Sequence, residues 1–209
     1  MTSVTPDTPQ LPQRFTPGGF LMVLTGPSGA GKGTLVERLL EARPDCIFAV
    51  SSTTRPIRTG ETDGVEYRFV DRPEFEQRIK RDYFLEWAEV HGNLYGTPGE
   101  EVAQLEQMGR VVLLDIDVQG GESVRRVRPD AVTVFIYPPS LESLRQRLAR
   151  RGTDGPEVVA QRLANAPGEM AQWKHYDYLL INDNLEQAVA QMIAIHDAER
   201  ARVSRLQTG

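Results

Sequence analysis

The chain has a single cysteine in 209 residues, Cys46, so no internal disulfide is possible and no cysteine or histidine stands beside it at a metal-site spacing. A buried core thiol in a reducing compartment is the expectation. Long apolar runs are missing: no stretch approaches the roughly 18 residues that cross a bilayer, and the start lacks the basic-then-apolar layout of a secretion signal. These absences predict a soluble cytoplasmic protein without a membrane partner. A surplus of positive charge is missing as well. With 24 Lys and Arg against 29 Asp and Glu, net −5, a general nucleic-acid surface is excluded, although a local arginine cluster could hold a small anion. The three histidines, His91, His175 and His196, have no ligand-like spacing, and no Ser-His-Asp or Cys-His arrangement can be argued. There are no internal repeats. The length suits one domain with inserted flaps, enough to bury a large core.

The segment Leu21 to Thr34, LMVLTGPSGAGKGT, carries the strongest signal. Leu21 to Leu24 reads as a buried parallel strand, and Gly26-Pro27-Ser28-Gly29-Ala30-Gly31-Lys32 has the P-loop spacing of two glycines framing four residues before a lysine. Glycines at Gly26, Gly29 and Gly31 let successive N–H groups turn inward around an anion, with a helix N-terminus aimed at the same point. Lys32 adds a mobile charge for the outer phosphates. A plain strand-to-helix turn does not require that spacing followed by Lys. The residue after the lysine is usually Ser or Thr, a magnesium ligand, but here it is Gly33, with Thr34 one place later. In this detail the loop resembles that of adenylate kinases, so nucleotide phosphate binding is expected and direct metal ligation from the loop is not.

Residues 1–18 carry prolines, Thr and Ser without periodicity and are expected to be a flexible tail. Helical spacing marks Thr34 to Ala42, closed by Pro44, and Ile47 to Val50 is a short strand. Residues 51–98 turn polar, aromatic and glycine-punctuated, predicting a small β sub-domain with a helix around Pro73 to Lys80. Regularity resumes with a helix over Glu100 to Met108 and buried strands at Val111 to Leu114 and Val132 to Ile136. Ser140 caps a helix bearing Leu141, Leu144 and Leu148. A further helix follows the break at Gly152 to Pro156, then a strand at Tyr178 to Ile181. Asp183 with Glu186 reads as a capping box opening a terminal helix, with His196 on its apolar face as a satisfied core histidine. The fold class is α/β: a P-loop parallel sheet covered by helices on both faces.

Four constellations could carry chemistry. Arg55 and Arg58, three apart in SSTTRPIR with Pro56 between them, suit a second phosphate site, since each can fork two N–H donors onto phosphate oxygens. Glu86, set among aromatics in FLEWA, could accept two hydrogen bonds from the N1–H and 2-amino edge of guanine, whereas adenine presents an acceptor at N1. By itself such a Glu is more often a surface residue. Asp115 and Asp117 end a buried strand, where ligands of open α/β sheets bind; a turn cap is the bland alternative. Arg147 and Arg151, four apart, with Arg162 beyond a glycine-containing turn, suggest an anionic partner on a mobile flap, with plain solvation as the other reading.

With these motifs in order, GPSGAGKGT, SSTTRPIRTGETDGVEYRF, FLEWAEVHGNLYGT, LDIDVQG, YPPS, RLARRGTD and YLLINDN, nearly the whole chain from Gly19 onward resembles the guanylate kinase family. The resemblance implies a core of residues 19–50, 99–140 and 168–209, a GMP-binding sub-domain at 51–98 and a helical lid at about 141–167. It implies that Arg55, Arg58, Tyr67 and Tyr95 hold the GMP phosphate, while Ser51, Glu86, Thr97 and Asp117 recognise guanine or fix the groups that do. Lys32 and the loop from Gly26 to Thr34 would bind ATP phosphates, Asn182 would lie near the adenine, and Asp115 would support the shell of a magnesium ion through water. Arg147, Arg151 and Arg162 would reach the transferring group. Two rivals remain open on these residues: a scaffold of the same fold that binds a partner peptide, and a small phosphotransferase for another monophosphate or a phosphorylated sugar. Monomer and dimer are equally open.

Overall fold

The computed structural model describes residues 15–90, 92–151 and 155–208. In chain order the strands and helices are β1 (Phe15–Pro17), β2 (Phe20–Thr25), α1 (Lys32–Ala42), β3 (Cys46–Phe48), β4 (Ser52–Thr53), β5 (Arg68–Phe69), α2 (Arg72–Lys80), β6 (Phe84–Val90), β7 (Asn93–Pro98) and α3 (Gly99–Gln107). They continue with β8 (Val111–Asp115), α4 (Val118–Val127), β9 (Val132–Tyr137), α5 (Leu141–Arg151), α6 (Pro156–Met170), β10 (Tyr178–Ile181), α7 (Leu185–Arg200) and β11 (Leu206–Thr208).

Five strands form a parallel sheet in the order β10-β9-β2-β8-β3. β2 is central because its run FLMVLT is apolar on both faces and buried throughout, as a strand covered on both sides must be. Met22 and Leu24 pack with Leu35, Leu39 and Met192 on the α1/α7 side, while Leu21 and Val23 pack with Val102 and Val124 on the α3/α4 side. The chain leaves β2 toward β3 on one side and later crosses to β9 on the other. The resulting crevice lies at the carboxyl end of β2, where open α/β sheets bind ligands.

A second sheet, ordered β5-β4-β7-β6, grows out between β3 and α3. Its longest pairing is the antiparallel β6–β7 hairpin, and Phe75 of α2 packs against Phe84, ring centroids 4.4 Å apart. Of the alternating run from Val65 to Val70, only Arg68 and Phe69 pair as strand, parallel to β4. α5 and α6 form a separate layer with their own cluster of Leu144, Leu148 and Ala166. α6 runs on past residue 167 to Met170, with Pro167 inside it.

Several local expectations change. The flexible tail was expected to reach residue 18, but Phe15–Pro17 pairs antiparallel with Leu206–Thr208, a long-range pairing that no local pattern can reveal; residues 1–14 lie outside the described residues. α4 is an additional helix, disguised in the sequence by Gly120 and Gly121. A Cβ on Gly121 would lie 2.5 Å from Thr25 Cγ2, so the helix needs glycine to pack this closely on β2. The cap of α7 is Asn184, accepting from Gln187 N at 3.0 Å, rather than Asp183. Ser140 caps α5 as expected, accepting from Ser143 N at 3.0 Å.

His196 is buried in α7 with its ring nitrogens 2.9 Å from Asp197 and 3.2 Å from Asp45. Asp45, Cys46 and His196 bring ligand-type atoms within 4.8 Å of one another, a cluster that chain spacing concealed. The Arg200 guanidinium, 3.1 Å from Asp45, already supplies the cation there, and burial pushes the Cys46 thiol up to about 12. These groups therefore read as a buried structural network. Among the described residues, no helix is long and apolar enough to cross a membrane.

Candidate active site

One cleft of about 770 Å³ runs from the β2–α1 loop to the β4–β7 surface and gathers most of the sequence-predicted site residues onto its walls. At its core end the loop Gly26 to Gly31 turns through left-handed glycines. Gly26 has φ +144°, and a Cβ there would stand 2.3 Å from the Ile136 carbonyl; Gly31 has φ +94° and N-caps α1. The N-terminus of α1 therefore opens into the cleft with its N–H groups and positive dipole end, an arrangement suited to an anion. Lys32 Nζ donates to the Gly26 carbonyl at 2.9 Å and lies 3.8 Å from Asp115 Oδ1. Ser28, Gly29, Gly33 and Thr34 also line the cleft; Pro27 and Ala30 are buried beneath it.

Gly33 faces Asp115: a Cβ at residue 33 would lie 3.9 Å from Asp115 Oδ2. The missing side chain leaves a space between helix and carboxylate, and an oxygen donor beside a phosphate-binding loop suits a hydrated divalent cation. The residues fit such an ion held through water.

The loop is braced from the α5/α6 layer. Arg147 Nη1 donates to the Ala30 carbonyl at 3.1 Å and its Nη2 to the Asn182 carbonyl at 2.8 Å. Asn182 is buried and sends its own Nδ2–H to Ala30 O at 2.8 Å. Arg162 Nη1 donates to Ser28 Oγ at 2.6 Å, and Leu148 would touch a Cβ on Gly29 at 3.1 Å. Arg147 and Arg162 thus converge on the phosphate loop from two helices. Arg151 closes α5, and its side chain lies outside the described residues, as do Gly152 to Asp154.

At the far end, Arg55 is buried and forks onto Glu61 at 2.7 and 3.0 Å. Its guanidinium lies over the Tyr67 and Phe69 rings at 5.4 and 5.6 Å, and Tyr67 meets Tyr95 edge-on at 5.8 Å. Burial pushes the Tyr67 hydroxyl up to about 12, so it stays a neutral donor. Arg58 is exposed on the same wall.

Glu86 is 6% exposed, which settles the surface-residue alternative against it. Thr97 Oγ1 donates to Glu86 Oε1 at 2.7 Å, and Ser51 Oγ stands 3.1 Å from the Thr97 hydroxyl, forming a three-residue chain. Burial, with Asp117 nearby, lifts the Glu86 carboxyl to about 7 despite the Thr97 bond. Gly120 makes room for it: a Cβ there would sit 3.0 Å from Glu86 Oε2. Asp117 fulfils its bland alternative and lines the cleft as well, since it caps α4 by accepting from Gly120 N at 2.8 Å. Among the wall residues without a role in the sequence reading, two carry charge at the heart of the cleft. Glu61 sits within a motif of which Ser51, the arginines and Tyr67 were singled out, and Glu169 of α6, pushed up by burial and felt by Lys32, Asp117 and Arg162, had no motif at all.

Chemically, one cleft pairs a glycine-rich loop at a helix N-terminus with two arginines and a buried hydrogen-bond acceptor. Residues 19–199 match the family described as Guanylate kinase. The guanylate kinase of Symbiobacterium thermophilum is 54% identical over 189 residues, 90% of each chain, and that of Carboxydothermus hydrogenoformans 45% identical over 90% of this chain and 92% of its own. The crystal structure of guanylate kinase from Anaplasma phagocytophilum superposes with a TM-score of 0.78 at 32% identity, covering 92% of both chains. With sequence relatives, a solved structure and the two-ended cleft in agreement, the chain belongs to the guanylate kinase family.

Proposed function

We propose that this protein transfers the γ-phosphoryl group of ATP to GMP, and to dGMP, giving ADP and GDP. One observation carries the reading: a glycine-rich loop, two arginines and a buried, hydrogen-bonded carboxylate open into the same cleft. ATP phosphates take the Gly26–Thr34 loop and Lys32, with Asn182 beside the adenine. The GMP phosphate takes Arg55, Arg58, Tyr67 and Tyr95, and guanine takes Glu86 with Ser51, Thr97 and Asp117 in support. The segment 51–98 is then the GMP-binding sub-domain and residues 141–167 the lid.

The acceptor is already an anion, so the protein needs no nucleophile of its own. Its work is alignment for in-line attack and screening of two phosphates that repel each other, done by Lys32, Arg58, Arg147, Arg151 and Arg162. Closure of both flaps excludes water, the competing acceptor. Asp115 would hold the magnesium of MgATP through water, and Thr34 on the cleft wall is the next hydroxyl after Gly33. When bound, the metal neutralises charge on the outer phosphates. We place the protein in the cytoplasm, with no nucleic-acid or membrane partner.

Side-by-side turnover of GMP, dGMP, AMP and UMP with MgATP tests the reading. GMP and dGMP should exceed AMP and UMP by about 10⁴-fold in kcat/KM. Equal turnover of AMP would indicate another monophosphate kinase, and peptide binding without turnover would indicate a scaffold. Gly31→Ala tests the donor end. A Cβ would meet Asn182 Nδ2 at 2.3 Å in a backbone conformation with φ +94°, at a cost of about 1–3 kcal/mol. The expected outcome is an ATP KM raised about tenfold or more with GMP KM nearly unchanged, read by steady-state kinetics.

A further inference from the structure

The pair Arg55–Glu61 is more than an arginine satisfied by the nearest carboxylate. Arg55 Nη1 donates to the Pro56 carbonyl at 2.7 Å and to Glu61 Oε2 at 3.0 Å, and Nη2 donates to Glu61 Oε1 at 2.7 Å. These bonds take three of the five guanidinium N–H donors, all at the Nη1 side and the end of the fork. The edge made by Nε–H and the second Nη2–H is not used by these bonds and can address a ligand. Tyr67 and Phe69 fix the plane of the group from its face; Glu61 fixes its rotation within that plane. The same carboxylate accepts from the backbone N–H of Arg58 at 2.8 Å, and Glu61 N closes the turn on Arg58 O at 3.1 Å. One side chain therefore sets the direction of one phosphate arginine and the loop that carries the other.

We propose that Glu61 is a positioning residue for the acceptor phosphate, holding the Arg55 fork and the 55–58 loop so that both arginines address one dianion. This rests on the reading of Arg55 and Arg58 as the GMP phosphate site. A carboxylate beside an anion site costs repulsion, which makes sense only if its position repays it. Arg55 is 9% exposed, and without a counter-charge its guanidinium would turn its end toward the cleft. The opposite role, a carboxylate that competes with GMP for Arg55, makes the opposite forecast.

Glu61→Gln separates these roles. Glutamine matches the shape but presents an NH₂ to one of the arginine donors, so it cannot hold both prongs. The expected result is a GMP KM raised about tenfold with ATP KM unchanged. In an Arg55→Lys background, the same change should have a much smaller effect on GMP KM, because the fork it orients is gone. Wild-type-like GMP kinetics, a lowered GMP KM, or an unchanged effect in the Arg55→Lys background would each overturn the proposal. If Glu61→Gln melts early, Glu61→Asp, which keeps the charge but shortens the reach, must still raise GMP KM more than ATP KM. A wild-type protein that fails to phosphorylate GMP strikes the proposed function instead, before any variant is made.

Discussion

Lys32→Met should lower kcat for GMP phosphorylation by about 10³-fold while leaving the melting temperature close to that of the parent. The lysine is largely buried, yet it contributes little to packing: its Nζ lies on the Gly26 carbonyl at 2.9 Å and 3.8 Å from Asp115. That is a cation held at the rim of a cradle of N–H groups, and its energy is realised when charge builds on the transferring phosphate. Methionine keeps the stem and removes the charge. Lys32→Arg should not restore activity, because a planar fork does not fit the space that a single ammonium occupies between loop and carboxylate. Single-turnover measurements at saturating ATP and GMP check the step directly. A Lys32→Met protein within tenfold of the parent would remove the lysine from the mechanism.

Glu86 should control base choice and, through its own protonation, make GMP affinity depend on pH. Its carboxyl is lifted to about 7 first by burial, then by Asp117, against the lowering by Thr97. Guanine offers two donors and needs the ionised form. As pH falls below about 7, the empty site gains a proton that must be lost again on binding, so GMP KM rises up to tenfold per pH unit; above 7 it levels off. The GMP phosphate itself titrates near 6. Glu86→Gln separates the two by abolishing the break near 7 and leaving the one near 6, and it should cut GMP discrimination over AMP by about 10³-fold or more. Lower pH should also narrow discrimination in the parent, since a protonated Glu86 can donate to adenine N1. Stability runs with the opposite sign. The folded carboxyl keeps its proton up to about 7 whereas the unfolded chain releases it near 4.5, so raising pH through that window withdraws a few kcal/mol, at about 1.4 kcal/mol per pH unit. Glu86→Gln should therefore melt higher than the parent at pH 8. A KM profile identical in parent and variant would refute the role.

The loop at the proposed donor end was readable residue by residue, because a glycine-rich turn is a local device: Gly26, Gly29, Gly31 and Lys32 lie within one turn between a strand and its helix. The acceptor end was not. Arg55 and Arg58 suggested an anion by type, and Glu86 among aromatics suggested a base edge, but only the resemblance joined them, since no local pattern states that residues 55 and 86 share a wall. Glu61 stood in plain sight beside the arginines without a signal of its own, because an arginine's orientation depends on where a carboxylate lands after folding. Glu169 gave none at all. In α4, the glycines that would break an isolated helix are those required to pack it against Thr25 and Glu86.

The sequence by itself determined the layered α/β class, the parallel core strands from their unbroken apolar runs, the glycine-rich loop between β2 and α1 and the set of charged groups available to a ligand. Those follow from periodicity and backbone freedom, which act over a few residues. Tertiary structure decided the rest: the burial that lifts Glu86, the bracing of Ala30 by Arg147 and Asn182, the pairing of Phe15–Pro17 with Leu206–Thr208, and the His196 network with Asp45. Each depends on desolvation or on contact between segments far apart in the chain, and such quantities acquire values only once the chain is folded.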